Sequence, residues 1–320
     1  MRGGGFAGVL GIVAIVMAAT FVMSSTTATR RHVQAQERRD WVHQRFLDIE
    51  GYDGVAQRVV VTYPRRSDGR SRPPGERYPV VIALHGRGEA RLAPNRGALA
   101  WYLQYKLPEA FGALGRRRLT SADYHGLVNR GHLEMVNAQL RAEPFRGVAV
   151  VTPYTPDLMG DPQAGPRVAA FGDWLAGPLL SALRDEFPNL ARGRDATGID
   201  GVSLGGMLSL EAGFAHPEAF GAVGAIQPAI RGRESRLVAA ATRARDHNQG
   251  PQQVRLLTSE ADPFREPTES LSTALRAVHL SHRLLVVPGP HDYQFNQGPG
   301  AIELLRYFDE VLAREPVGGR

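Results

Sequence analysis

Short apolar runs alternate along the chain with longer stretches whose apolar residues recur at helical spacing. The apolar runs lie at 55–63, 78–84, 147–152, 197–202, 221–226, 254–258 and 283–287. The helical stretches lie at 171–187, 204–216, 268–278 and 302–312. Continuous apolar runs of this length, separated by helices, are typical of strands that are buried on both faces. The pattern predicts an α/β fold with a mostly parallel central sheet flanked by helices.

A hydrophobic segment precedes this alternation. Residues 1–29 carry a single charge, at Arg2, and their apolar centre spans 6–23. That centre is longer than most signal-peptide cores and just long enough for one membrane span, so signal peptide and transmembrane anchor are both open interpretations. Four arginines between 30 and 39 oppose translocation of the rest of the chain, which weakens the interpretation as a secreted protein. The protein is expected to be membrane-anchored or exported.

The boundaries of the folded body follow from the polarity of the chain. Residues 30–50 are charged and predict a polar connector with helical potential, so one folded domain is expected over 51–316. Residues 65–77 are rich in Arg, Pro, Gly and Ser and predict an exposed turn. The stretch 88–143 is longer than an ordinary connection and predicts a crossover helix with an insertion. Its aromatic residues, Trp101, Tyr102, Tyr105, Phe111 and Tyr124, are expected to pack rather than to bind ligand.

The composition excludes several kinds of site. The chain has no cysteine, which excludes disulfides, thiolate metal sites and a cysteine nucleophile. Its formal net charge is +6, but the basic residues are scattered and accompany no nucleic-acid-binding motif, so nucleic acid is not an expected partner. The histidines show no spacing typical of metal ligands, and no metal is predicted.

A G-x-S-x-G motif stands between a strand-like run and a helical run. It is formed by Gly201, Val202, Ser203, Leu204 and Gly205. A serine alcohol is a poor nucleophile, so serine hydrolases expose it on a tight strand-to-helix turn close to a general base. Glycines allow the backbone to make that turn. The motif and its context predict Ser203 as a nucleophile.

An acid and a histidine follow in the chain order of a catalytic triad. Asp262 lies just beyond one predicted strand and His291 just beyond the next. The carboxyl ends of parallel strands meet at one edge of the sheet, so the three side chains can converge there. His291 is the predicted general base, and Asp262 is the predicted acid that orients it. Glu260, two residues before Asp262, stays an alternative acid, whereas Asp292 is expected to be a turn or capping residue.

With these motifs the sequence resembles the α/β-hydrolase superfamily, in particular bacterial putative esterases of the feruloyl-esterase-like group. The resemblance covers about 63–312 and depends on the segments LHGRG at 84–88, GVSLGG at 201–206 and PHDY at 290–293. It implies an oxyanion hole of backbone N–H groups, one from Gly86 or Arg87 and one from Leu204. His85 is expected to position this loop.

The resemblance implies hydrolysis of a small-molecule carboxylic ester through an acyl-Ser203 intermediate, with no cofactor. Peptidases, thioesterases and acyltransferases use the same triad on the same fold, so they remain alternatives. A membrane-tethered binding domain that keeps the fold without catalysis is the alternative from another class. It would not be labelled at Ser203 by a reagent for serine nucleophiles.

Overall fold

The computed structural model describes residues 41–65, 76–159, 164–247 and 250–316. The hydrophobic segment 1–29, residues 30–40 of the expected connector and most of the expected turn at 65–77 lie outside this part of the chain. The choice between signal peptide and anchor therefore stays a prediction. Among the helices that the structure describes, none is both long enough and apolar enough to cross a membrane.

The strands form one large sheet and one small ladder. In chain order they are β1 (Val42–Glu50), β2 (Ala56–Pro64), β3 (Glu76–Arg77), β4 (Val80–Leu84), β5 (Ala149–Thr152), β6 (Thr197–Gly201), β7 (Ala222–Ile226), β8 (Gln253–Ser259), β9 (Arg283–Val287) and β10 (Glu315–Pro316). The large sheet has the order β1-β2-β5-β4-β6-β7-β8-β9, and β3 pairs with β10. Strand β2 is antiparallel to β1 and β5, and the other pairs of the large sheet are parallel. The prediction of a mostly parallel central sheet is confirmed.

Helices fill the connections between the strands. In chain order they are α1 (Arg87–Ala90), α2 (Pro94–Gly97), α3 (Ala100–Leu103), α4 (Leu107–Gly115), α5 (Arg130–Ala142), α6 (Ala164–Trp174), α7 (Leu180–Glu186), α8 (Leu204–Ala215), α9 (Glu234–Arg245), α10 (Arg265–Ala277), α11 (Tyr293–Phe295) and α12 (Ala301–Val311). The helix predicted at 171–187 is divided by a π-helical turn, Leu175–Leu179, which contains Pro178. Proline has no N–H to donate, and this interrupts the regular α-helical ladder.

Both faces of the sheet are buried. Successive strand residues point to opposite faces, and Val80, Ile82 and Leu84 of β4 belong to a hydrophobic cluster with α6–α10. Val81 and Ala83 belong to a second cluster with α3, α4, α5 and α12. Two cores on the two faces explain why the central strands appear in the sequence as mostly apolar runs.

The folded body begins before Gly51, which corrects the predicted connector. Residues 42–50 form β1, which pairs with β2 along its whole length, from Val42 opposite Pro64 to Glu50 opposite Ala56. Strand β1 is at the edge of the sheet, and of its nine residues only Val42 is buried. An edge strand with so little burial has a polar sequence, and this is why the pattern did not predict a strand.

Candidate active site

Four strands end at the same edge of the sheet. Leu84, the last residue of β4, pairs with Gly201, the last residue of β6. Ser259 at the end of β8 likewise pairs with Val287 at the end of β9. The segments that follow these strands therefore leave the sheet side by side, as expected for a site at the carboxyl ends of parallel strands.

Ser203 stands on a sharp turn between β6 and α8. Its backbone has φ 56° and ψ −111°, and it caps the N-terminus of α8. A non-glycine residue with this φ is strained, and such strain is characteristic of functional sites. The turn is held on both sides, because the Ser203 N–H donates to the Ile226 carbonyl at 2.9 Å and the Ala229 N–H donates to the Ser203 carbonyl at 3.0 Å. Ser203 is partly exposed, while both neighbours in the chain are buried.

Two glycines make this turn possible. A Cβ atom on Gly201 would lie 2.3 Å from the backbone of Gly205. A Cβ atom on Gly205 would lie 2.4 Å from the Leu84 carbonyl oxygen and 2.7 Å from the His85 carbonyl oxygen. A side chain at Gly201 would clash with the start of α8, and one at Gly205 would separate the turn from the loop after β4. The glycines of the motif serve close packing of the backbone here.

Asp262 and His291 are joined by a hydrogen bond. The distance from His291 Nδ1 to Asp262 Oδ1 is 2.9 Å, the Asp262 side chain is fully buried, and the His291 side chain is 25% exposed. The same Oδ1 accepts the Phe264 N–H at 3.0 Å, and Oδ2 accepts the Thr258 hydroxyl at 2.6 Å. A carboxylate held in this way requires the proton on Nδ1, which leaves Nε2 of His291 free to accept a proton.

Glu260 and Asp292, the acidic residues close to Asp262 and His291 in the sequence, do not bond to the imidazole in this structure. Glu260, the alternative acid, is exposed, and the hydrogen bond to His291 belongs to Asp262. Asp292 caps α11, where its carboxylate accepts the Phe295 N–H at 2.9 Å. The expectation that Asp292 is a capping residue is therefore confirmed.

The loop after β4 passes beside the turn, where the Leu84 and His85 carbonyl oxygens lie against Gly205. Arg87 and Leu204 are each the first residue of a helix, so their N–H groups have no carbonyl acceptor within the helix. The Gly86 N–H, by contrast, donates to the Tyr105 hydroxyl at 2.9 Å. Of the two positions predicted on this loop, the geometry thus leaves Arg87 as the available donor.

The Arg87 side chain is bound to an acidic residue of another segment. Its Nε lies 3.0 Å from both carboxylate oxygens of Asp157, and Arg91 approaches the same carboxylate at 3.7 Å. The Arg87 guanidinium is therefore paired with Asp157, a carboxylate that it shares with Arg91. This arrangement agrees with the expectation that Arg87 acts through its backbone.

His85 is a buried neutral imidazole beneath the loop. Its Nδ1 lies 3.0 Å from the Gly86 carbonyl oxygen, and its Nε2 accepts the Thr155 N–H at 2.9 Å. Because Nε2 is an acceptor, the proton is on Nδ1, where it donates to Gly86. Burial lowers the pKa of His85 from 6.5 to about 4. These two hydrogen bonds tie the loop to the segment that contains Thr155, which agrees with the expectation that His85 positions the loop.

The lowered pKa of His85 predicts a stability loss in acid. The unfolded chain binds a proton at this imidazole more readily than the folded protein does. The fold therefore keeps its full stability above the unfolded pKa of 6.5 and loses this contribution as the pH falls to the folded pKa of about 4. Between pH 7 and pH 4 the wild-type free energy of unfolding should fall by about 3 kcal/mol more than that of His85→Gln, which cannot titrate. Urea unfolding at a series of pH values measures this difference. The exposed His279→Gln is the control, and parallel curves for wild type and His85→Gln would contradict the expectation.

Two further residues support the site without a signal in the sequence. Gln227 is buried, follows β7 directly and has a positive φ of 45°. Its Nε2 donates to the Ser259 hydroxyl at 2.7 Å and to the Pro290 carbonyl, next to His291, at 3.0 Å. Only its position just after a strand could have indicated it. Tyr105, expected to be a packing residue, also bonds to the loop through Gly86.

In the part of the chain that the structure describes, no three His, Cys, Asp or Glu side chains form a group that could hold a metal ion. The arrangement at the strand ends instead offers a strained serine, an acid-oriented imidazole and two N–H groups at helix starts. These are the parts from which acyl transfer through a serine nucleophile is built.

Comparison with solved structures identifies the fold of the chain. No protein-family model and no curated protein matches the chain. Among solved structures, S-formylglutathione hydrolase from Staphylococcus aureus is 13% identical, with a TM-score of 0.54, covering 84% of this chain and 98% of its own. The feruloyl esterase module from Clostridium thermocellum is 12% identical, with a TM-score of 0.58, covering 85% and 90%. A ferulic acid esterase from Anaeromyces mucronatus is 16% identical, with a TM-score of 0.56, covering 85% and 91%. The chain has the α/β-hydrolase fold, which it shares with these esterases.

Proposed function

We propose that this protein hydrolyses small-molecule carboxylic esters through an acyl-Ser203 intermediate, without a cofactor. The observation that carries the proposal is the hydrogen bond between Asp262 and His291 at the sheet edge where the strained Ser203 turn stands. A buried carboxylate that holds the Nδ1 proton of a partly exposed imidazole prepares Nε2 to act as a general base.

The reaction proceeds in two halves. His291 Nε2 takes the Ser203 hydroxyl proton as Oγ attacks the ester carbonyl carbon, and the tetrahedral intermediate then expels the alcohol, which receives that proton from His291. In the second half a water molecule replaces the alcohol. His291 removes its proton, the hydroxide attacks the acyl carbon, and the proton returns to Ser203 Oγ as the acid leaves.

Negative charge on the carbonyl oxygen is stabilised by backbone donors. The N–H groups of Arg87 and Leu204 begin helices α1 and α8, and each is available because it has no carbonyl acceptor within its helix. The twelve-residue α8 adds the positive end of its dipole. A donor of this kind is worth about 3 kcal/mol in the transition state.

Labelling with a fluorophosphonate tests the proposal on the full-length protein. We expect wild type to gain one covalent adduct, located at Ser203 by peptide mass spectrometry, and Ser203→Ala to gain none. Wild type should also turn over p-nitrophenyl acetate or butyrate, with turnover lost in Ser203→Ala. Because the structurally similar proteins are named for feruloyl esters and S-formylglutathione, methyl ferulate and S-formylglutathione belong in the same substrate panel.

The alternatives give different results in the same experiment. A folded wild type that neither labels nor turns over any ester would favour the binding domain and contradict the proposal. Labelling with turnover of the thioester alone would favour a thioesterase. Acyl transfer to an added alcohol in preference to water would favour an acyltransferase, and cleavage of a peptide anilide without ester turnover would favour a peptidase.

A further inference from the structure

A buried carboxylate lies behind the loop after β4. Glu89 is 2% exposed, yet it belongs to α1, the short helix that begins at Arg87. Its Oε2 accepts the Tyr105 hydroxyl at 2.7 Å and its Oε1 accepts the Tyr293 hydroxyl at 2.5 Å. A buried carboxylate is costly unless it is hydrogen-bonded. Two phenol donors supply those bonds here.

Each tyrosine connects this carboxylate to a different segment of the candidate site. The Tyr105 hydroxyl also accepts the Gly86 N–H at 2.9 Å, so it holds the loop at the residue before Arg87. Tyr293 is two residues after His291, in the segment that carries the proposed base. One carboxylate therefore joins the loop after β4 to the segment that carries His291, although the two are about two hundred residues apart in the chain.

Two glycines of the loop lie against the two phenols. A Cβ atom on Gly86 would lie 3.1 Å from the Tyr105 hydroxyl, and one on Gly88 would lie 3.4 Å from the Tyr293 hydroxyl. The two tyrosine rings lie 6.1 Å apart between centroids. Tyr105 is almost fully buried, whereas Tyr293 is half exposed at the site.

Both phenols stay protonated and so remain donors to Glu89. Burial, with the Glu89 charge next to it, raises the pKa of Tyr105 well above its ordinary value. The hydrogen bond to Glu89 raises the pKa of Tyr293 to about 12. Because each hydroxyl donates to Glu89, Tyr105 can only accept from Gly86, and the direction of every bond in the chain is determined.

We infer that Glu89, Tyr105 and Tyr293 form a positioning cluster that fixes the positions of the Arg87 N–H and His291 relative to Ser203. The inference rests on the proposed function. None of the three is a catalytic residue, since they act through the backbone of the two loops. The Tyr105 hydroxyl occupies the Gly86 N–H, and this assigns the oxyanion contact of the loop to Arg87.

Removal of the Tyr105 hydroxyl is the main test. In Tyr105→Phe the buried Gly86 N–H loses its acceptor and the loop is free to shift. We expect kcat per labelled site to fall about 10- to 100-fold with KM unchanged, because a displaced donor weakens transition-state binding more than substrate binding. Inhibition by a trifluoromethyl ketone, whose serine adduct carries an oxyanion, should weaken by the same factor. Counting active sites with the fluorophosphonate removes any contribution from unfolded protein.

A matched control is a second buried tyrosine–carboxylate pair, Tyr124 with Glu303. Tyr124 is fully buried and donates its hydroxyl to the buried Glu303 at 2.7 Å, in a cluster that contains none of the proposed site residues. Tyr124→Phe removes a phenol–carboxylate bond of the same kind. It should lower stability as Tyr105→Phe does, but leave kcat and ketone inhibition unchanged. A loss of kcat in the control equal to that in Tyr105→Phe would overturn the inference.

The shared carboxylate makes a second test. Tyr293→Phe and Tyr105→Phe each remove one bond to Glu89, so their effects on kcat should not add in the double variant. Glu89→Gln keeps the shape but offers one acceptor oxygen to two donors, and its kcat should fall as well. Additive effects would overturn the shared role of Glu89. Failure of the proposed function is distinguishable, because wild type itself would then show neither labelling nor turnover.

Discussion

Replacing Asp262 by alanine is expected to lower kcat for ester hydrolysis by about 10⁴-fold, the loss seen when the acid of a serine triad is removed. Asp262 accepts the Nδ1 proton of His291 at 2.9 Å, with its own side chain fully buried. Without it, the imidazole is free to take the other tautomer, which presents a proton to Ser203 and cannot accept one. Steady-state kinetics with p-nitrophenyl butyrate, normalised to folded protein, measure the change.

An asparagine at the same position should cost less than alanine. The Phe264 N–H at 3.0 Å requires an acceptor at the Oδ1 position, which is also the position that faces His291. The asparagine oxygen should therefore occupy the Oδ1 position. Its NH2 group would then point towards the Thr258 hydroxyl, which can accept a hydrogen bond. Asp262→Asn then keeps the tautomer and loses only the charge.

Glu260→Ala separates the two candidate acids. Glu260 is exposed, so this variant should keep the wild-type kcat. A loss in Glu260→Ala as large as in Asp262→Ala would show that the acid had been assigned to the wrong residue. Equal activities of wild type and Asp262→Ala would contradict the triad itself.

Replacing Arg255 by methionine is expected to lower the free energy of unfolding by about 3 to 5 kcal/mol. Arg255 on β8 forms a buried ion pair with Asp200 on β6, and their side chains are 4% and 0% exposed. The Arg255 guanidinium also lies over the Tyr307 ring at 5.3 Å from its centroid. Loss of the arginine leaves the Asp200 carboxylate in the core without a counter-charge, with the Gly201 N–H at 2.7 Å as a remaining donor.

Urea unfolding of three variants measures this effect. Arg255→Met should be the least stable, and the double variant Asp200→Leu/Arg255→Met should recover much of the loss, because it removes the unpaired charge as well. The control is Arg58→Met, which breaks the exposed pair with Asp48 on the first two strands and should leave stability unchanged. If Arg255→Met unfolded at the same urea concentration as wild type, the pair would contribute nothing to stability.

The fold was predictable because its strands are buried on both faces. The runs at 78–84 and 221–226 contain only apolar residues and glycine, the run at 197–202 adds Thr197 and Asp200, and each run matches an observed strand. Strand β1 was not predictable in this way. It pairs on one side only and buries one residue of nine, so its polar sequence resembles a connector.

The candidate triad was predictable in outline for a related reason. Ser203, Asp262 and His291 each follow a strand, and parallel strands bring their carboxyl ends to one edge. The sequence favoured Asp262 as the acid but left Glu260 open, since both lie just beyond β8. The choice depends on which side chain turns inward to meet His291, and the structure places Asp262 there.

By itself the sequence determined the α/β class, the tight turn at Ser203 and the order of the three candidate residues, because these depend on local patterns and on strand ends. Only the tertiary structure decided which backbone donors are available, since the Gly86 N–H is occupied by a tyrosine nineteen residues later. It also decided that Glu89 joins two distant loops, for nothing in the sequence links positions 89, 105 and 293. Contacts between distant residues depend on how helices and loops pack over the sheet, and no local pattern records that packing.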